Sequence, residues 1–126
     1  MAGKFQGPFL DPLITNQSMA SSFNGTPINL ETKDNLGIQL SWTGANPIGA
    51  INVQVSVDYD ARFPNDATWT LLTDSTGTPI EIDPSGTPGN GYFDLNQLTA
   101  QWVQIVYTTA GGSVGLLTSK AVAKAV

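Results

Sequence analysis

The sequence contains no histidine and no cysteine in 126 residues, and lysine and arginine together supply only five side chains. Without histidine, the commonest acid–base group near neutral pH is missing. Without cysteine, the chain has no thiol nucleophile, no disulfide and no cysteine-based zinc site. We therefore expect a protein that is not an enzyme and needs no cofactor, and that acts by presenting surfaces to copies of itself or to a ligand.

Positive charge is scarce as well, because ten acidic residues leave a net charge of −5. The five basic residues are scattered along the chain rather than clustered: Lys4, Lys33, Arg62, Lys120 and Lys124. Proteins that bind phosphate backbones cluster such residues on one face. Nucleic acid is therefore not an expected partner.

Long hydrophobic runs are also absent. No stretch approaches the roughly 20 apolar residues that a membrane-spanning helix needs. Residues 1–13 are interrupted by Gln6, Pro8, Asp11 and Pro12, a pattern that does not fit a secretory signal. We expect no membrane partner, and synthesis in a cytoplasm.

What is present indicates one folded domain, since 40% of the residues are hydrophobic and only 12% are charged. Residues 1–16 follow neither a strand nor a helix period, and we predict an extended N-terminal arm there, with a β-sandwich domain over residues 17–126. The apolar side chains of the arm need cover, either from the same chain or from a neighbouring subunit. Those assigned to an assembly interface are Phe5, Phe9, Leu10 and Leu13.

The rest of the chain shows the alternation of β-strands. The clearest strands cover residues 36–42 and 51–57, and residues 102–108 are predicted to form a hairpin with residues 115–123. Shorter or weaker strands are predicted over residues 18–23, 28–30, 68–73, 80–83 and 92–95. The longest helical pattern is a single turn at residues 95–100. This organisation predicts an all-β protein, a single antiparallel sandwich of about eight strands with a jelly-roll-like topology.

The tryptophans divide by their position in these strands. Trp42 and Trp69 are expected in the core, because they lie on periodic strands. If Val103 and its alternating partners face the core, Trp102 and Val106 point outward. An outward Trp102 is either covered by a loop or placed in an assembly interface, and both interpretations stay open.

Paired carboxylates are the remaining route to chemistry. Asp58, Asp60 and Asp66 follow a strand end within nine residues and are weak candidates for a calcium site. Their spacing does not match a calcium-binding loop, and Arg62 lies among them, so a solvated acidic loop is the default interpretation. Asp83 and Asp94 flank a Gly/Pro loop, but nothing in the sequence fixes the separation that a glycosidase would need.

Carbohydrate binding is a further hypothesis. Flat aromatic faces beside amide side chains are what a sugar site on a β-sandwich needs, and this chain has three Trp and three Tyr residues among many Asn, Gln and Thr. The aromatic residues best placed for such a ligand-binding site are Tyr92 and Trp102.

Three segments carry a resemblance to known proteins: VQVSVD at residues 53–58, ATWTLL at residues 67–72 and WVQIVY at residues 102–107. In layout they resemble discoidin-like, galactose-binding-type jelly rolls. With the Gly-rich residues 107–120, the same layout is similar to small virion proteins of bacteriophages. That resemblance implies a structural virion component, a capsid decoration or tail-associated protein made in the host cytoplasm.

Two classes of function therefore stand. In the first, the protein is a homo-oligomer, trimeric or larger, whose copies meet through the arm and through Trp102 and Val106, and it also contacts other virion proteins. In the second, it is a carbohydrate-binding β-sandwich module that holds a glycan with Tyr92 and Trp102.

Overall fold

The computed structural model describes residues 13–30, 33–85 and 89–124. The predicted interface residues Phe5, Phe9 and Leu10 lie outside these ranges. Ten strands lie within them: β1 Ile14–Ser18, β2 Phe23–Asn24, β3 Ile28–Asn29, β4 Asn35–Asn46, β5 Gly49–Ser56, β6 Thr70–Leu71, β7 Glu81–Ile82, β8 Gly89–Leu95, β9 Trp102–Thr109 and β10 Val114–Lys124.

The strands form two antiparallel sheets. The four-stranded sheet has the order β1-β10-β4-β8, so that β10 lies between β1 and β4. In the six-stranded sheet β5 and β9 are the central pair, β2 and β3 both pair with β9, and β6 and β7 both pair with β5. The protein is thus the all-β antiparallel sandwich that the sequence predicts.

Four of the short strands are parts of two longer, interrupted strands: β2 with β3, and β6 with β7. Phe23 and Ile28 lie along the same side of β9, opposite Tyr107 and Val103, and the backbone N–H of Gly25 between them donates to the carbonyl of Ile105 at 2.8 Å. Likewise β6 and β7 lie along one side of β5, with a turn at residues 73–79 between them. Counting each interrupted strand once gives eight strands, in agreement with the predicted number.

The order of these eight strands is that of a jelly roll. The first strand pairs with the eighth, the second with the seventh, the third with the sixth and the fourth with the fifth. Such pairs arise when one long antiparallel ribbon is wound into two facing sheets.

The predicted hairpin between residues 102–108 and 115–123 is wrong, because the two strands do not pair with each other. β9 lies in the six-stranded sheet and β10 in the four-stranded sheet, so the turn between them crosses from one sheet to the other. That turn contains Gly112 at a φ of 82° and a hydrogen bond of 3.1 Å from the Ser113 N–H to the Ala110 carbonyl. The same glycine-rich residues serve a hairpin and a crossing turn, which is why local sequence did not separate the two.

The core lies between the sheets and follows the predicted alternation. From the four-stranded sheet, β4 contributes Leu36, Ile38, Leu40 and Trp42, all buried. From the six-stranded sheet, the buried side chains come from β5 and β9: Ile51, Val53, Val103, Ile105 and Tyr107. Alternate residues of the same strands therefore form the outer faces.

The predicted boundary between arm and sandwich, at residue 16, falls inside β1. Leu13 and Ile14 are buried in the core, and the Leu13 N–H donates to the Ser119 carbonyl at 3.0 Å. Leu13, which was assigned to an assembly interface, is thus covered by its own chain.

Helical structure is confined, within the described residues, to one 3-10 turn at Pro64–Asp66. The single turn predicted at residues 95–100 is irregular instead. There Gln97 has a φ of 56° and its N–H donates to Asn35 Oδ1 at 3.0 Å, while the Leu98 N–H donates to the Asp34 carbonyl at 2.8 Å. No helix in the part of the chain that the structure describes has the length and apolar character to cross a membrane.

Candidate functional site

The outer face of the six-stranded sheet carries Trp102. Alternation along β9 directs Trp102, Gln104 and Val106 away from the core, opposite Ser56, Gln54 and Asn52 of β5. Trp102 and Val106 are both half-buried. Both sit on the outer face that the sequence assigned to them.

A loop folds over this face. Residues 57–69 connect β5 to β6, and the Tyr59 ring meets the Trp102 ring edge-on at a centroid distance of 4.7 Å. The centroid of the Trp69 ring lies 5.5 Å from that of Tyr59, with the two rings tilted at 49°. We call Tyr59, Trp69 and Trp102 the aromatic cluster; each is half-buried, and each ring pair contributes about 0.5–1.5 kcal/mol beyond its buried area.

The ends of this loop are tied together by Asp58. Its Oδ1 accepts hydrogen bonds from the Ser56 hydroxyl at 2.7 Å and from the Thr68 backbone N–H at 2.9 Å. These bonds favour the charged carboxylate, and the Ser56 bond is the larger cause that holds the pKa of Asp58 below its ordinary value. Asp58 therefore positions the loop that brings Tyr59 to Trp102.

The three aspartates proposed for calcium are engaged separately. Asp60 pairs with Arg62 at 2.8 Å, which lowers the pKa of Asp60. Asp66 is exposed in the 3-10 turn, and Asp58 is bonded within the loop. Among the described residues, no three acidic side chains come together as metal ligands. The pair Asp83 and Asp94 is also divided, since Asp83 follows β7 of one sheet and Asp94 lies in β8 of the other.

Exposed apolar side chains occur in the same loop and sheet as the aromatic cluster. Val57 and Phe63 in the loop are 78% and 58% exposed, and Leu71, opposite Gln54 in the same sheet, is 42% exposed. A hollow of about 180 Å³ opens between the loop ends, lined by Val55, Asp58, Thr68 and Ala100, among others. Exposed apolar residues grouped in this way are typical of an interaction surface.

Amide side chains on this sheet are paired with each other. Gln104 is only 4% exposed although it faces outward, and its Nε2 donates to Gln54 Oε1 at 2.8 Å. The pair satisfies a buried polar group beside Trp102.

Tyr92 lies on the opposite side of the molecule. It is in β8, opposite Gln39 of β4, on the outer face of the four-stranded sheet, and it is 58% exposed. Because the two sheets pack face to face, the outer faces that carry Tyr92 and Trp102 point in opposite directions. The structure therefore does not bring these two aromatic residues into one small ligand site.

Sequence reasoning missed Tyr59 and misplaced Trp69. Trp69 was expected in the core but is half-buried in the aromatic cluster, because it lies just before β6, at the edge of the loop. Tyr59 lies in a loop, where no periodicity marks a side chain as buried or exposed. The available signal was the concentration of aromatic residues in an otherwise polar loop: Tyr59, Phe63 and Trp69.

The fold is a jelly-roll β-sandwich that carries the aromatic cluster on one outer face and Tyr92 on the other. No protein-family model matches the chain, and no curated protein matches its sequence. Among solved structures, the chain is similar to the SPBc2 prophage-derived protein YomS, with a TM-score of 0.55 and 13% sequence identity over 90% of this chain and 91% of that one. At this level of identity, the likeness establishes a shared fold.

Proposed function

We propose that this protein is a non-enzymatic structural component of a phage particle, a capsid decoration or tail-associated protein. It assembles with copies of itself through the outer face of the six-stranded sheet. The observation that carries the proposal is the half-exposed aromatic cluster together with the exposed Val57 and Phe63 of the same loop. Two further points support it: jelly rolls serve as viral capsid domains, and the similar solved structure is a prophage-derived protein.

The chemistry of this surface suits a protein interface. Tryptophan, tyrosine, phenylalanine and arginine are enriched in interface cores, and the most costly truncations usually fall on tryptophan, tyrosine and arginine. Here the Arg62 guanidinium lies 5.7 Å above the Phe63 ring while it pairs with Asp60. The pair neutralises Asp60, so the carboxylates of Asp58 and Asp66 are the unbalanced charges of this loop.

Symmetric assembly follows from the use of one patch on every copy. We propose a homo-oligomer of three or more chains in the virion, made in the host cytoplasm and in contact with other virion proteins. Residues 1–12, with Phe5, Phe9 and Leu10, supply a second contact in this proposal. Nucleic acid, membrane and cofactors have no part in it.

The test is the solution mass by light scattering over a range of concentrations. We expect the full chain to form a discrete oligomer, and the double variant Val57→Ser/Phe63→Ser to shift to smaller species. The matched control is Val114→Ser/Leu116→Ser, which removes side chains of comparable exposure, 55% and 43%, from β10 of the other sheet. It should assemble like the parent chain.

A chain that is monomeric at every concentration would overturn self-assembly, and equal loss in both double variants would overturn the location. Deletion of residues 2–12 tests the arm separately. The deletion stops before Leu13 because that residue is part of the core.

Carbohydrate recognition is the second candidate function. One specific observation favours it, the exposed Tyr92 ring on the outer face of the four-stranded sheet.

A further inference from the structure

Three adjoining hollows lie along the outer face of the four-stranded sheet. The first, of about 230 Å³, is lined by Gln39, Ser41, Thr118 and Lys120. The second, of about 190 Å³, shares Gln39 and Lys120 with the first and adds Gly37, Tyr92 and Val122. The third, of about 180 Å³, shares Tyr92 and Val122 with the second and extends to Asp94 and Asn96. Because neighbouring hollows share lining residues, they lie side by side across β10, β4 and β8, and together we call them the groove.

The Tyr92 ring lies across the middle of this groove, and Gly37 makes that position available. A Cβ atom at residue 37 would collide with the Tyr92 hydroxyl. Glycine in a strand interior is less favourable than alanine, because it loses more backbone freedom on folding. At position 37 glycine lets the Tyr92 ring extend from β8 over the neighbouring strand β4.

The groove combines one flat aromatic ring with many hydrogen-bonding groups. Gln39 and Ser41 lie on one side of Tyr92 and Asn96 on the other. Amides and hydroxyls both donate and accept hydrogen bonds, as the hydroxyl groups of sugars do. The C–H face of a sugar ring is apolar and fits the face of an aromatic ring.

The charge of the groove is balanced. Among the described residues that line it, Lys120 and Asp94 carry opposite charges and lie in different hollows. A phosphate backbone would need more cations than this, and an apolar helix or acyl chain would need a mainly hydrophobic lining. A neutral ligand with many hydroxyl groups fits best.

We infer that this groove binds a neutral oligosaccharide, with Tyr92 as the stacking platform and Gln39, Lys120 and Asp94 as hydrogen-bonding partners. Each hollow alone is smaller than the roughly 300 Å³ of a typical ligand pocket. A ligand that fills this groove would therefore span the adjoining hollows, as several linked sugar units do. The inference does not depend on assembly through the other sheet.

The test is an NMR titration of the ¹⁵N-labelled full chain with cellohexaose, chitohexaose, xylohexaose, maltohexaose and β-1,4-galactotetraose. We expect at least one of these probes to cause saturable shifts of the amides of Gly37, Gln39, Tyr92 and Lys120. The amides of Trp69 and Trp102 should not move. Absence of saturable shifts with all five probes would overturn the inference, as would shifts confined to the aromatic cluster.

Two variants test the platform. Tyr92→Ala removes the ring and should weaken binding about tenfold, or abolish it. Gly37→Ala keeps the ring but moves it from its place, and should weaken binding as well. The spectrum of each free variant shows whether it is folded.

The matched control is Phe63→Ser, which removes an exposed aromatic ring of the same fractional exposure, 58%, from the other side of the molecule. It should bind like the parent chain. Binding by Tyr92→Ala or by Gly37→Ala that equals binding by the parent chain would overturn the role of the ring. Because light scattering follows assembly separately, failure here leaves the proposed function to its own test.

Discussion

The two outer faces of the sandwich belong to sheets that enclose the same core, but a loop covers part of one face and leaves the other exposed. On the six-stranded sheet a loop returns over the strands, so that Tyr59 covers Trp102 and the outward Gln104 is almost fully buried. On the four-stranded sheet Tyr92 and Gln39 stay exposed. Strand alternation decides which side chains face outward in both sheets. Whether those side chains then support stability or remain available to a ligand is decided by the loops.

Removing one aromatic side chain from each face tests most directly whether the two faces differ in their contribution to stability. Trp102→Ala should lower the free energy of unfolding by about 2 kcal/mol, less than the 3–5 kcal/mol of a core tryptophan because Trp102 is half-buried. Tyr92→Ala should change it by less than about 0.5 kcal/mol. Urea denaturation measures both. Equal losses would show that the loop over Trp102 adds no stability.

The amide side chains give a smaller contrast. Gln104→Ala should cost about 1 kcal/mol, since it leaves the half-buried Gln54 oxygen without its donor. Gln39→Ala, at an exposed position of the other sheet, should be neutral within about 0.5 kcal/mol. The same denaturation measurement applies, and a neutral Gln104→Ala would mean that water replaces the lost partner.

Lowering the pH should destabilise the loop at residues 57–69, on the six-stranded sheet, before it affects the rest of the fold. The pKa of Asp58 is lowered from 3.8 in the folded chain, so its stabilising bonds are intact above that pH and are lost as the pH falls through the folded value. The indole N–H signals of Trp69 and Trp102 should therefore shift below about pH 4, ahead of that of Trp42. Asp58→Asn keeps an acceptor oxygen without a titrating group and should suppress the shift.

Asp74→Asn is the matched control for the acid response. The pKa of Asp74 is also lowered, by bonds to Thr76 in the turn between β6 and β7. This substitution should leave the response of Trp69 and Trp102 unchanged. An equal effect of both substitutions would show that the acid response is not specific to the Asp58 loop.

The substitution expected to change stability least, Phe63→Ser, should nevertheless weaken self-association. Phe63→Ser should leave the free energy of unfolding unchanged within about 0.5 kcal/mol, because its ring is mostly in solvent. Its oligomer should nevertheless dissociate at higher protein concentrations than the parent's, as sedimentation velocity would show. If the two chains associate equally, Phe63 is not part of the interface.

Much of the fold was accessible from the sequence, because it depends on local alternation. Residues 36–42 lie within β4, the predicted strand at residues 51–57 coincides with β5 up to Ser56, and Trp42 is in the core as expected. The strand partners of β9 and β10 were not accessible, since a crossing turn and a hairpin turn use the same residues. β10 pairs with β1 and β4, and its register with β4 joins residues some 80 positions apart, Ala121 and Ile38 for example.

The candidate sites were less accessible than the fold. Trp102 could be assigned to an outer face from its place in β9, but its contact with Tyr59 depends on how residues 57–69 fold back. The dependence of Tyr92 on Gly37 likewise joins two strands that are far apart in sequence. Contacts of this kind are set by tertiary packing, which no local pattern encodes.

The place of β10 between β1 and β4 also bears on how the chain is made. β10 is synthesised after the other described strands, yet it fills the gap between two of the earlier ones. Until residues 114–124 leave the ribosome, β1 and β4 have unpaired edges and the core lacks part of one wall. Closing that gap joins segments about a hundred residues apart, which is intrinsically slow. A polypeptide interrupted before β10 therefore cannot complete the four-stranded sheet, and it remains a target for proteases and chaperones. Only chains that include β10 reach the folded state.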